Sequence, residues 1–238
     1  MPKRPVIFLR TNASAQAMAD LAMRTARDYL LAMHGEEEVV VASSNRYSRK
    51  KVRTTLGEYV LSFSEQEDEE PAEVGKKPRG ASAVDRPYLF GDNHGPLWDD
   101  LAGRYPFPPC RHCEHAGLAT FGLGGENSGV TFHTHGPGFA EVVHGAKHWF
   151  LYPPDSLVPG LADELTMEEW FTEHYMTRQT RTHTVEDNGG GDGLYECEIH
   201  PGEVLYFPNH WEHGTLNTGA FNVFVSLFLD YSYYTSEL

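Results

Sequence analysis

The sequence predicts a mainly β protein, a double-stranded β-helix or jelly roll with an N-terminal helix and a helical insertion. Three observations carry this. His133 and His135 stand one residue apart in the extended stretch Phe132-His133-Thr134-His135. Strand side chains alternate between faces, so both imidazoles can meet one metal ion. Far downstream, the β-rich run Val204-Leu205-Tyr206-Phe207 stops at Pro208, and His213 opens the next extended run, as expected of a residue that cannot donate to a central ladder. A close pair on one strand with one distant ligand is the split site that a jelly roll brings together. A lone histidine in an apolar strand is ordinarily a core or surface residue. Pairing His133-x-His135 with Pro208-x4-His213-x3-Asn217 is what makes a metal centre the reading here.

The other elements follow in order. Residues 14–34 read as one amphipathic helix, because Met18, Leu21, Ala22, Thr25, Tyr29, Leu30 and Met33 recur at three- and four-residue spacing; Ser14 can cap its start and Gly35 can end it. Glu38 to Ser44 and Glu58 to Phe63 read as strands from their β-branched and aromatic content. Between them, Arg46-Tyr47-Ser48-Arg49-Lys50-Lys51-Val52-Arg53 is the marked basic cluster, a solvated loop or a dock for an acidic partner. Residues 64–87 are acidic and then basic with few large apolar side chains, so a mobile excursion within the domain is expected. Cys110-x2-Cys113, with His112 and His115 beside it, hints at zinc, but no second Cys-x2-Cys exists and Cys197 is the third cysteine. A disulfide or free thiols are the other readings.

Residues 155–198 read as an insertion between the halves of the roll. Thr166-x-x-Glu169 is a capping box opening a short helix through Trp170, Phe171 and Tyr175, followed by Asp187-Asn188-Gly189-Gly190-Gly191-Asp192-Gly193. A lid over a site mouth and a homodimer contact remain equal readings of it. The aromatic tail from Leu229 to Tyr234 is expected to pack across the open end of the barrel.

Bulk properties bound the function. At 238 residues, 40% hydrophobic and 12% aromatic, the chain can build one substantial core, and residues 1–238 read as a single domain. A net charge of −15 argues against nucleic acid, which needs clustered lysine and arginine. No apolar run is long enough to cross a bilayer. The start, Met1 to Arg10, holds too few apolar residues for a signal peptide, which by sequence alone suggests a soluble, cytoplasmic protein.

The segments His133 to Pro154 and Gly202 to His213 resemble the two halves of a jumonji-C (JmjC) domain, the protein branch of the iron(II) and 2-oxoglutarate oxygenases. Val39 to Ser48 and Tyr88 to Asn93 extend the similarity to one small member, over nearly the whole chain after about residue 38. The resemblance implies ferrous iron at His133, His135 and His213. It also implies 2-oxoglutarate held by Lys147 and Ser226, and hydroxylation of a protein or peptide, with lysine demethylation as a variant. It implies an address in the lumen of the endoplasmic reticulum, where Asn12-Ala13-Ser14 would be a glycosylation sequon.

One position departs from the usual His-x-Asp/Glu…His pattern: His135 stands where the acid should be. A neutral ligand in its place raises the charge of the site and suits zinc, nickel or copper as well as iron. Glu141 shares strand parity with the two histidines and is the alternative donor, unless the Gly136-Pro137-Gly138 turn breaks that parity, in which case it is a salt-bridge partner. Lys147, set among Val142, Val143, Trp149, Phe150 and Leu151, either pairs with a carboxylate or snorkels outward. Asn217 either orients His213 or makes a turn. Three readings of function remain: a 2-oxoglutarate oxygenase; a JmjC-fold interaction protein without that chemistry; and a cupin-type metalloenzyme using the histidines and Glu141.

Overall fold

Alternating side chains along the central strands build two sheets that face each other. The computed structural model describes residues 3–43, 50–65, 86–91, 94–108, 116–161, 165–177 and 193–229. The larger sheet uses β1 (Val6–Leu9), β4 (Leu89–Phe90), β5 (Ala116–Gly124), β7 (Gly138–His144), β10 (Glu203–Phe207) and β12 (Asn222–Leu229), in the order β1-β10-β7-β12-β5-β4. The smaller uses β6 (Gly129–His133), β8 (Lys147–Tyr152), β9 (Tyr195–Ile199) and β11 (Glu212–Asn217), in the order β6-β11-β8-β9. All these pairings are antiparallel. Two apposed antiparallel sheets with sequence-distant neighbours are the jelly roll that the sequence predicts.

Period two decides what each layer buries. Ala140, Val142, Trp149, Leu151, Leu205 and Phe207 meet between the sheets. The intervening residues Phe139, Val143, Val204, Tyr206, Val223 and Val225 pack outward against helices. On the far side, Phe132, Phe150, Tyr152 and Leu216 are covered by the insertion through Met167, Trp170 and Tyr175. Its capping box forms as expected: Thr166 Oγ1 accepts from the Glu169 N–H at 3.2 Å and Glu169 Oε2 accepts from the Thr166 N–H at 2.8 Å. The short helix α5 (Met167–Trp170) then continues as a π-helical turn over Phe171–Tyr175, which lays Phe171 and Tyr175 against Phe150.

Two local expectations are corrected. Residues 14–34 form α1 (Ala15–Arg24) and α2 (Arg27–His34), with Ala26 extended between them. Thr25 ends the first helix by donating its hydroxyl to the Leu21 carbonyl at 2.8 Å, a side-chain bond that competes with helix continuation, and Ser14 makes no capping bond. The break lets Leu21 and Leu30 share one core. Glu58 to Phe63 is not a strand but part of α3 (Leu56–Glu65), preceded by the hairpin β2 (Glu38–Ala42) and β3 (Lys51–Thr55). Leu56, Tyr59, Val60 and Phe63 are all buried, and that spacing is helical, so burial period outweighs β-propensity. The expectations for most of 64–87, for Cys110 and Cys113, for the first half of the basic cluster, for the glycine stretch and for the tail lie outside the described residues. Cys197 is a free thiol, pushed up to about 11 by burial.

Glu141 is fully buried on the outward face of β7. Arg10 grips it with two bonds, Nε to Oε1 and Nη2 to Oε2, each 2.6 Å, and the Tyr105 hydroxyl donates to Oε2 at 2.7 Å. Tyr105 follows α4 (Pro96–Arg104), so this cluster ties the N-terminal segment and a helix end to the middle of the large sheet. Stripping one partner from such a pair leaves an uncompensated charge. Glu141→Ala should therefore cost roughly 3–5 kcal/mol in chemical denaturation while leaving metal stoichiometry unchanged, which a Glu141-ligated metal would not allow.

Candidate metal centre

The register of β11 assembles the site. His213 sits opposite His133 on one side and Leu151 on the other. His135 lies two residues past the end of β6, in the turn to β7, and its backbone carbonyl accepts from the His210 N–H at 3.2 Å. The turn closes because Gly138 has no side chain: a β-carbon there would lie 2.7 Å from the Phe207 ring and 2.9 Å from the Leu227 carbonyl.

The three imidazoles are oriented alike. Nδ1 of His133 donates to the Thr131 carbonyl at 2.9 Å, that of His135 to the Gly136 carbonyl at 2.7 Å, and that of His213 to the Trp211 carbonyl at 2.8 Å. A donor at Nδ1 leaves Nε2 of a neutral ring with a bare lone pair. His213 Nε2 and His135 Nε2 are 3.2 Å apart, and one nitrogen from each ring falls within 4.8 Å of the others. Lone pairs so placed repel one another unless a cation joins them. Nitrogens at 2.0–2.1 Å from one tetrahedral ion stand about 3.3 Å apart, so the donor set fits a divalent metal. Burial, and the neighbouring His133 and His135, hold His213 well below the usual histidine range, and burial lowers His135 too. Both rings therefore stay neutral, as ligands must be.

Aromatic rings fix the cluster laterally. Phe207 lies 4.6 Å from the His213 ring, Phe228 4.8 Å from His135 and Trp149 5.8 Å from His213, centroid to centroid. Sequence reading missed these side chains, although period two from Lys147 and Ser226 points to Trp149, Phe224 and Phe228.

Lys147 lies inside, 2% exposed, and does not snorkel. Its Nζ donates to Asn217 Oδ1 at 3.0 Å and sits 3.8 Å from the centroid of Phe224. Burial pushes the amine down to about 7. Between that pH and its ordinary 10.5, the unfolded chain holds a proton that the folded one lacks, so this contribution to stability rises with pH. Ser226 is on β12 between Phe224 and Phe228, on their face of the strand. Asn217 does not reach His213: its amide donates to Ser128 Oγ at 3.0 Å while its carbonyl holds Lys147, because it is Lys147's cross-strand partner. Glu141 is likewise absent from the histidine cluster. Alternation restarts after the Gly136-Pro137-Gly138 turn, with Ala140 and Val142 inward and Glu141 outward.

A jelly roll with a histidine triad between its sheets is a cupin-type metal scaffold. The family described as a cupin-like domain matches residues 1–234. Over 228 residues the chain is 37% identical to JmjC domain-containing protein 8 of Mus musculus, covering 95% of this chain and 74% of that one. The Homo sapiens protein of the same name is 36% identical, at 95% and 76% coverage. A Lysine-specific demethylase JMJ21 of Arabidopsis thaliana is 24% identical over 192 residues, covering 71% of this chain and 18% of that one. The chain belongs to the cupin-like JmjC-domain family.

Removing any one of the three imidazoles should abolish stoichiometric metal uptake in equilibrium dialysis, with His213→Ala the most severe because its ring is fully enclosed. The metal-free protein should lose stability as pH falls below about 6.5, where unfolded histidines gain protons that buried His213 and His135 refuse. Added metal should restore it, measured as a thermal shift across that range.

Proposed function

We propose that this protein is a metal-dependent oxygenase of the iron(II) and 2-oxoglutarate class that modifies protein or peptide side chains. The observation behind the proposal is the convergence of three imidazoles, each held through Nδ1, with one nitrogen of each ring within 4.8 Å of the others. His133, His135 and His213 would hold the metal, a facial set that leaves other positions open. Bound iron and 2-oxoglutarate would supply the power to activate dioxygen.

The chain's own residues do the rest. Three neutral ligands leave the whole charge of the ion uncompensated, which favours an anionic co-substrate. Lys147 would take the distal carboxylate: burial disfavours the charged form of its amine, and a carboxylate arriving there would stabilise the ammonium and offset that desolvation. Ser226, on the inward face of β12, would add a hydroxyl. Phe207, Phe228 and Trp149 limit water around the histidines and restrict their rings to one orientation. The relative named a lysine-specific demethylase supports a protein side chain as the target. Zinc or nickel would occupy the same ligands without that chemistry.

One observation favours a second reading, a JmjC-fold interaction protein. Lys147 is already engaged by Asn217 and by the face of Phe224, a self-contained arrangement. Anaerobic titration of iron(II) and then 2-oxoglutarate into the purified protein separates the two. An oxygenase should develop the visible charge-transfer absorption of a ferrous 2-oxoglutarate complex. Lys147→Met should weaken that complex about tenfold or more, the value of one charged contact of 1.4 kcal/mol upward, while retaining the metal. A protein that binds iron and gives no such band at any co-substrate concentration belongs to the second class.

A further inference from the structure

We infer that Phe224 is a gate on the Lys147 site: its ring must leave the ammonium before a carboxylate can pair with it. The inference rests on the oxygenase reading and adds a residue that controls co-substrate admission.

Several observations place the ring. Phe224 covers the Lys147 ammonium face-on at 3.8 Å, a cation–π arrangement that holds the closed state. With one N–H of Lys147 directed to Asn217, the ring occupies a side of the amine that a second acceptor would use. The ring lies directly over Gly122, its neighbour on β5, where a β-carbon would collide with it. Glycine thus supplies the floor on which the ring rests. Phe90, half-buried on the two-residue edge strand β4, stacks with it at 5.6 Å and 28°. Finally, the β12–β7 ladder breaks register between Val223 and Phe224, and such bulges re-aim a side chain and occur beside functional sites.

A ligand that binds only the open form has its affinity reduced by the fraction of molecules that are open. Taking the ring away removes that penalty, whereas taking Lys147 away removes what the gate protects. The test is a calorimetric titration of 2-oxoglutarate, without oxygen, into the full chain loaded with iron(II). Wild type, Phe224→Leu and Phe224→Leu/Lys147→Met are compared, and leucine keeps apolar volume in the core. Metal content of each variant is measured first and should be equal. We expect Phe224→Leu to bind about tenfold or more tightly than wild type, and the double variant to lose that gain. Equal, tight binding by wild type and Phe224→Leu would overturn the gate and leave the oxygenase reading standing. A gain that survives loss of Lys147 would overturn it too, since the ring would not be guarding the ammonium. Absence of binding in every metal-loaded variant would overturn both the gate and the co-substrate reading.

Discussion

Everything at the centre depends on the antiparallel register of β11 between β6 and β8. That single strand sets His213 against His133 on one side, and Asn217 against Lys147 on the other. Four residues of strand separate the two positions, on the order of 13 Å, so the histidine end and the lysine end are fixed relative to one another by backbone hydrogen bonds. A slip of one residue would turn His213, Thr215 and Asn217 out of the sandwich together. The apolar residues between them, Gly214 and Leu216, would turn inward, away from the insertion that Leu216 packs against. Hydrophobic burial on the outer face therefore holds the polar face in place.

The same alternation sorts the ionisable groups. Along β7, Ala140 and Val142 fill the interior and Glu141 faces out, where Arg10 and Tyr105 satisfy both its oxygens. A carboxylate so saturated has no lone pair aimed at the histidines. The buried Arg10–Glu141 pair and the candidate metal centre are thus kept on opposite faces of one sheet, the first fastening the N-terminal segment.

Parity arguments read from sequence are trustworthy only within one unbroken strand. His133 and Lys147 could be read because each lies at the end of a strand, and His213 because Pro208 marks where its strand must start afresh. Glu141 misled because its parity was counted through Gly136-Pro137-Gly138, where the chain passes from the small sheet to the large one. For Asn217 the sequence offers His213 or a turn but not its actual partner, since cross-strand register joins it to Lys147 and no local spacing reveals that. Helix α3 was misjudged on composition although 56, 59, 60 and 63 carry helical periodicity. Phe224 went unseen because an aromatic residue in an apolar strand has no signature until Lys147 is found over its face.

The electrostatics of the interior follow from what is missing from it. Among the described residues, no carboxylate bonds to Lys147 or joins the histidine cluster, while the chain as a whole carries a net charge of −15. The acidity lies elsewhere, and the space between the sheets presents neutral imidazoles and one desolvated amine. A metal ion entering there makes the interior more positive and so raises its affinity for an anion; an anion at Lys147 favours the ion by the same factor, because binding linkage is reciprocal. A carboxylate at position 135 would have offset part of the metal's charge and weakened that coupling. On the proposed reading, with His135 in its place the two ligands would depend on each other more strongly, and the face of Phe224, now over the Lys147 amine, would stand in for the anion until it arrives.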